Sequence, residues 1–160
     1  MGAPGRDYTA NVSAVSVGTA AQDLFEFGAA DDKPIKIVGL ELGQDSELGD
    51  AAEEAMRLAI RRGNATSGSG GSAPTVRAND KHDAAAAFAC EANNTTKAST
   101  GSPINIITTA WNERISPAVW WWPDNFGAGS DQGDTTVCIE MVTTIADALT
   151  LNQTAYVREW

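Results

Sequence analysis

The single histidine, His82, is the first residue to consider for catalysis. It lies in the polar segment 79–83, near Asp80 and Asp83. A hydrolase triad or a transition-metal site places a histidine close to a nucleophile or to further metal ligands. The sequence contains no nucleophile elbow, phosphate loop or zinc-protease motif. We therefore interpret His82 as structural or incidental, predict that the protein is not an enzyme, and expect no catalytic, cofactor-binding or metal-binding residues.

The Gly- and Asp-rich loop 124–134 offers the hard oxygen ligands that calcium prefers. It does not follow the helix–loop–helix calcium pattern, and it occurs once rather than as an array. We interpret this loop as a turn, and the sequence leaves open whether it binds an ion.

Carboxylates are concentrated in the run 41–54, which contains six acidic residues and no basic one. Glycoside hydrolysis requires two carboxylates about 5–10 Å apart across a cleft. The sequence alone places no pair of carboxylates at that spacing. We interpret the run as a solvated surface, with docking to a basic partner as the alternative.

The three consecutive tryptophans Trp120, Trp121 and Trp122 are the most informative aromatic residues. In a β-strand, Trp120 and Trp122 share one face, whereas Trp121 points to the other. The three cannot all enter one core layer, so at least one should lie at a sheet surface. Exposed aromatic side chains mark protein interfaces, and they also stack on sugars. The predicted interface residues are these three tryptophans together with Tyr8 and Trp160.

Short strand-like segments separated by Gly, Pro, Asn, Asp and Ser make up most of the chain. Their large apolar side chains repeat at two-residue spacing, which is typical of half-buried strands. The segments are 8–17, 23–28, 35–42, 88–92, 104–111, 118–123, 135–143 and 154–160. No strand–helix–strand alternation is present. The pattern predicts an all-β, antiparallel β-sandwich that is jelly-roll-like, with short helical turns and long loops.

The length of 160 residues fits one domain, which we expect to span residues 9–160. Residues 1–8 are predicted to be an N-terminal arm that becomes ordered only against a partner, because it contains Gly and Pro and is too polar to form a core. Within the domain, one helical turn is expected at Ala84–Ala87. The Ser- and Gly-rich residues 65–73 are expected to form a flexible surface loop.

The segment 53–62 has two interpretations. Good helix formers, with acidic residues first and basic residues last, precede Gly63, as in a helix. However, Met56, Leu58 and Ile60 alternate with Arg57, Ala59 and Arg61, as in a strand. We favour a strand because the surrounding pattern is all-β.

Composition restricts the partners and the compartment. The 11 basic and 21 acidic residues give a formal net charge of −10, which argues against nucleic acid and against anionic membranes as partners. The N-terminal segment lacks the apolar stretch of a secretory signal, so we expect synthesis in a cytoplasm. Cys90 and Cys138 lie in apolar strand-like segments and are predicted to be buried free thiols.

The order of strand types forms a layout that covers most of the chain. It consists of an aromatic pair within Leu24–Phe27, a basic-aliphatic strand at Pro34–Glu41, an alternating segment at Ala55–Arg61, the segment Trp111–Ile115, a Trp-rich strand that ends at Trp122-Pro123, and closing strands at Val137–Val142 and Asn152–Trp160. In this layout the chain resembles the capsid decoration (cement) proteins of tailed bacteriophages. The resemblance implies a jelly-roll-like fold, binding to the outer surface of a capsid, and often a trimer.

The predicted function is therefore that of a virion structural protein at the capsid surface. Its partner would be the major capsid protein, whose subunit contacts it would stabilise, and it would be a homo-oligomer, with a trimer favoured. The alternative is a carbohydrate-binding module of a tail or fibre, because exposed tryptophans also bind sugars. A small hydrolase is the third hypothesis, and the lone histidine makes it the weakest.

Overall fold

The computed structural model describes residues 5–46, 55–115, 117–123, 127–130 and 136–160. Within these ranges the chain forms eleven strands and no helix, which confirms the predicted all-β class. No helix of the described segments is therefore long and apolar enough to cross a membrane. The strands are β1 (Arg6–Val17), β2 (Gln22–Gly28), β3 (Ile35–Gln44), β4 (Ala55–Asn64), β5 (Val76–Ala78), β6 (Ala89–Asn94), β7 (Ile104–Asn112), β8 (Ala118–Trp121), β9 (Gly129–Ser130), β10 (Thr136–Met141) and β11 (Leu149–Glu159).

Eight of these strands pair in nested order, the first with the last. β1 pairs with β11, β2 with β10, β3 with β8 and β4 with β7, and every pair is antiparallel. Pairing of β11 with β3 and of β10 with β4 joins them into two sheets. Sheet A has the order β5-β1-β11-β3-β8, with β9 also on β3, and sheet B has the order β6-β2-β10-β4-β7. This nested pairing is the jelly-roll arrangement that the sequence predicts.

The hydrophobic core lies between the two sheets. In sheet A, β11 buries alternate side chains, among them Leu151, Ala155 and Val157. In sheet B, Phe25 and Phe27 are fully buried, and their stacked rings have centroids 5.8 Å apart. Because successive side chains of a strand point to opposite faces, period-two sequences of this kind can cover a core with one face and leave the other free.

Two loops cover the outer face of sheet B. The Ser- and Gly-rich segment 65–72 pairs with the segment 95–102 through bridges between Thr66 and Ser99 and between Ser69 and Thr96. Backbone N–H groups of both loops donate hydrogen bonds to carboxylates of β2. The predicted surface loop is therefore a layer hydrogen-bonded to the sheet, and most of β2 is buried on both faces.

The ambiguous segment is a strand from Ala55 onwards, as favoured from the sequence, while residues 53 and 54 lie outside the described part. Met56, Leu58 and Ile60 are buried in the core. β4 is hydrogen-bonded to β10 on one side and to β7 on the other. Pairing on both sides outweighs the helix propensity of these residues, because propensity contributes only a few tenths of a kcal/mol per residue.

The helical turn expected at Ala84–Ala87 is not formed, and this segment is irregular. Its backbone groups bond to side chains of the sandwich instead of to each other. The carbonyl of Ala84 accepts a hydrogen bond from the Tyr8 hydroxyl, with an O···O distance of 3.1 Å. The N–H groups of Ala87 and Phe88 donate to the buried carboxylate of Glu159, at 2.9 and 3.2 Å. This competition removes the bonds that a helical turn would need.

We expect Glu159→Ala to destabilise the protein by about 3 kcal/mol, since it leaves buried donors without an acceptor. Glu159→Gln keeps an acceptor oxygen and should cost clearly less. Urea unfolding followed by circular dichroism measures both changes. Asp147→Ala, at an exposed acid, is the control and should change stability by less than about 0.5 kcal/mol. Equal stabilities of the Ala variant and the native chain would show that Glu159 does not anchor this segment.

Candidate functional site

The main exposed aromatic surface lies on the outer face of sheet A. Trp121 of β8 is directly opposite Gly39 of β3, and Gly39 is opposite Tyr156 of β11. The rings of Trp121 and Tyr156 are in contact, with centroids 4.4 Å apart and planes inclined at 39°. Trp121 is 60% exposed, and Val119 on the same face of β8 is 48% exposed. We call the surface of Val119, Trp121 and Tyr156 the aromatic platform.

Gly39 allows the indole of Trp121 to lie against the sheet. A Cβ atom at position 39 would lie 2.6 and 2.7 Å from two ring carbons of Trp121. Contacts this short do not occur, so any other residue would force the indole away from the sheet. The glycine therefore sets the orientation of the exposed ring, and the backbone of β3 supports it from below.

Polar groups border the platform on one side. The Tyr156 hydroxyl donates to the Glu41 carboxylate at 3.4 Å, and Glu41 lies opposite both Val119 and Thr154 in the sheet. The amide of Asn11 donates to the Thr154 hydroxyl at 2.9 Å. Burial, followed by the negative charge of Glu41, raises the pKa of Tyr156 above its usual value. The platform thus combines an apolar aromatic surface with hydrogen-bonding groups, an arrangement suited to binding.

The alternation predicted for the three tryptophans is confirmed. Trp120 lies opposite Leu40 and packs against the core, as does Trp122, whereas Trp121 points outward. Trp120 and Trp122 are therefore partly buried structural residues. Of the three, Trp121 alone contributes to the platform.

Tyr8 lies inside the protein, in contrast to the predicted arm. It is fully buried, and its ring makes an edge contact with Phe88 at a centroid distance of 5.5 Å. β1 begins at Arg6, so residues 6–8 of the predicted arm belong to the sheet, while residues 1–4 lie outside the described part. The Tyr8 side chain is consequently not accessible to a partner of the folded domain.

Trp160 follows the end of β11 and is 44% exposed. Its backbone N–H donates to the carbonyl of Pro34 at 3.1 Å. The indole lines an open cleft of about 240 Å³, together with Lys36, Arg62 and the backbone of Gly127 and Gly129. Trp160 is therefore a second exposed aromatic residue, at the edge of a cleft that contains two basic side chains.

The remaining candidates from the sequence are only partly covered by the described residues. His82 is exposed in a turn, where its backbone N–H donates to Asp80 at 2.9 Å. Residues 47–54 of the acidic run and most of the loop 124–134 lie outside the described part. Cys90 and Cys138 are buried free thiols, as predicted, and burial raises the pKa of both, to about 12 for Cys90.

Sequence reasoning missed Gly39 and Tyr156. Alternation along β11 could have placed Tyr156 on the outer face with Thr154, because both alternate with buried residues. The sequence carries no signal for the register that brings Tyr156 and Trp121 to either side of Gly39.

We expect Gly39→Ala to displace Trp121, because the new methyl group would overlap the indole. The indole should become more accessible to acrylamide quenching, and overpacking should cost about 1 kcal/mol of stability. The same substitution made in a Trp121→Ala background is the control, and there it should leave the quenching unchanged. Unchanged quenching in both backgrounds would contradict the role given to Gly39.

The comparisons with known proteins give no family. No family model matches the chain, and no curated protein matches it. Among solved structures, a chain from the "Structure of infectious bursal disease virus Gx strain" aligns with 10% identity and a TM-score of 0.12, covering 98% of this chain and 40% of that one. The present chain thus spans well under half of that chain's length, and a TM-score at this level carries no argument about fold or function.

Proposed function

We propose that the protein is a non-enzymatic virion structural protein that binds the outer surface of a phage capsid and stabilises contacts between major capsid subunits. The observation that carries this proposal is the aromatic platform. Trp121 and Val119 are large apolar side chains, and both are about half exposed or more on a regular sheet. Tryptophan and tyrosine are enriched among residues that dominate binding energy at protein interfaces.

The rigidity of the platform supports a docking role. Trp121 is held by the backbone at Gly39 and by the ring of Tyr156. A side chain that is already ordered before binding loses little conformational entropy when a partner covers it. A structural protein that must bind in many identical copies benefits from such a prearranged contact.

Two further observations support the proposal: the negative charge of the chain and the exposed apolar residues on an edge strand. The net charge of −10, with Glu41 beside the platform, favours a partner surface that carries positive charge. On β7, at the edge of sheet B, Ile104 and Ile106 are exposed. We propose that the protein is a homotrimer on the capsid and that this second apolar surface forms the contact between its copies.

Copy number tests the proposal directly. Quantitative mass spectrometry of purified particles should give a ratio to the major capsid protein near one, or a simple fraction such as a third, because decoration follows the symmetry of the shell. A few copies per particle would instead assign the protein to the tail or fibre. Absence from particles would overturn the virion assignment.

Trp121→Ala should weaken capsid binding about thirty-fold, which corresponds to the loss of about 2 kcal/mol at an interface hot spot. The variant should remain folded by circular dichroism, because Trp121 lies outside the core. Cosedimentation with undecorated capsids measures the affinity. Ile115→Ala, at an exposed apolar residue outside the platform, is the matched control and should bind normally. Normal binding by Trp121→Ala would exclude the platform as the docking surface.

A carbohydrate-binding module is the second candidate, and the border of the platform favours it. The exposed indole contacts the ring of Tyr156, whose hydroxyl donates to the Glu41 carboxylate, and Thr154 lies opposite Glu41 in the sheet. Such groups bind a sugar through ring stacking and hydrogen bonds. Titration with host-surface glycans should then change the Trp fluorescence of the native chain but not that of Trp121→Ala. A decoration protein should show no change with either chain.

A further inference from the structure

A buried polar cluster lies between the outer face of sheet B and the two loops that cover it. Glu26 of β2 is directly opposite Cys138 of β10, and Asp23 of β2 is opposite Glu140. Opposite residues of an antiparallel pair project from the same face of the sheet. Asp23, Glu26 and Cys138 are each at most 3% exposed. Two carboxylates and a thiol are thus enclosed under the covering loops.

The carboxylates of Asp23 and Glu26 are only half satisfied. Asp23 accepts a hydrogen bond from the N–H of Ala98 at 2.7 Å. Glu26 accepts from the N–H of Gly68 at 2.8 Å and from the amide of Asn94 at 2.9 Å. In each case one oxygen receives these bonds, whereas Asp23 Oδ1 and Glu26 Oε1 are buried without a hydrogen-bond partner. Unpartnered buried carboxylate oxygens are costly, so such groups normally pair with a cation or bind a metal.

The nearby basic side chains are bound to a different acid. Arg61 and Lys97 both form ion pairs with Glu140, at 2.9 and 2.6 Å. In the part of the chain that the structure describes, no basic side chain forms an ion pair with Asp23 or Glu26. Asp23 and Glu26 therefore lack a direct cationic partner among the described residues, and Lys97 acts on Asp23 only at a distance.

Asn64 supplies a separate observation at the same place. It is 1% exposed, and its Nδ2 atom lies 3.5 Å from Cys138 Sγ. Its carbonyl oxygen Oδ1 is buried without a hydrogen-bond partner. A third buried oxygen without a partner is thus present on the side chain that contacts the thiol.

We propose that Asp23, Glu26 and Cys138 bind a zinc ion, with Asn64 or a water molecule as the fourth ligand. One ligand atom from each of the three residues lies within 4.8 Å of the other two. In a tetrahedral zinc site with bond lengths of about 2.0–2.3 Å, ligand atoms lie about 3.3–3.8 Å apart, so the side chains move inward by up to about 1.5 Å to bind the ion.

The donor set selects the metal. Zinc accepts thiolate and carboxylate ligands together, whereas calcium and magnesium bind oxygen and avoid sulfur. A cavity of about 100 Å³ is lined by Glu26 of the cluster together with Ser67, Cys90 and Thr136, and the exposed Ser67 places this cavity at the surface. Asp23 also accepts a hydrogen bond from Ala98 of one covering loop, and Glu26 accepts one from Gly68 of the other. The ion would therefore attach both loops to sheet B.

The test begins with the native chain stripped of metal by a chelator and dialysed against zinc chloride. Elemental analysis should give one zinc per chain, and zinc at a hundred times its dissociation constant should raise the melting temperature by about 5–10 °C. Cobalt in place of zinc should produce a thiolate-to-cobalt charge-transfer absorption band. Binding of no metal would overturn the proposal. Binding of metal without this band would also overturn it, because exposed acidic residues bind cations without a thiolate.

The two buried cysteines provide a matched pair of variants. Cys138→Ser should lose the cobalt band, whereas Cys90→Ser, at the other buried thiol, should keep it. Asp23→Asn should weaken zinc binding at least tenfold while the chain stays folded, because the amide retains an acceptor for Ala98. A band that persists in Cys138→Ser, or zinc affinity that is unchanged in Asp23→Asn, would show that the ion binds elsewhere.

Discussion

The antiparallel pairing of β11 with both β1 and β3 is the constraint on which the rest of the structure depends. β11 lies in the middle of sheet A and is hydrogen-bonded along almost its whole length on both sides. Its inner face supplies Leu151, Ala155 and Val157 to the core. Because this pairing joins the last strand to the first and the third, it determines which outward-facing residues become neighbours across the sheet.

The two outer faces of the sandwich have opposite properties. The outer face of sheet A presents Trp121 and Tyr156 around Gly39. The outer face of sheet B is covered by loops, and it encloses Asp23, Glu26 and Cys138. An exposed aromatic surface suits contact with a partner, whereas an enclosed acidic cluster suits an ion. The same fold therefore separates the proposed docking surface from the proposed ion site, which would hold its own loops in place.

Several residues of both sites disagree with the local pattern of the strands in which they stand. Gly39 stands in a strand, where a glycine would normally weaken the sheet, and its function becomes clear only when the indole lies on it. Asp23 and Glu26 belong to a strand in which most residues are buried, where acidic side chains are unusual. Positions that disagree with their local environment are often those that carry function.

The sequence by itself determined the class of the fold and the direction of many side chains. Alternation along the strand placed Trp121 on the other face from Trp120 and Trp122, and the apolar context of the two cysteines predicted buried thiols. Both features depend only on residues that are close in the chain. For the segment from Ala55 the sequence favoured a strand only through the surrounding pattern, and the tertiary structure decided the matter, since pairing on both sides outweighs helix propensity. It also decided that Tyr8 is buried, that Tyr156 meets Trp121, and that Glu26 faces Cys138. These outcomes depend on register between strands far apart in the chain, and register is set by the packing of the whole sandwich rather than by any local pattern.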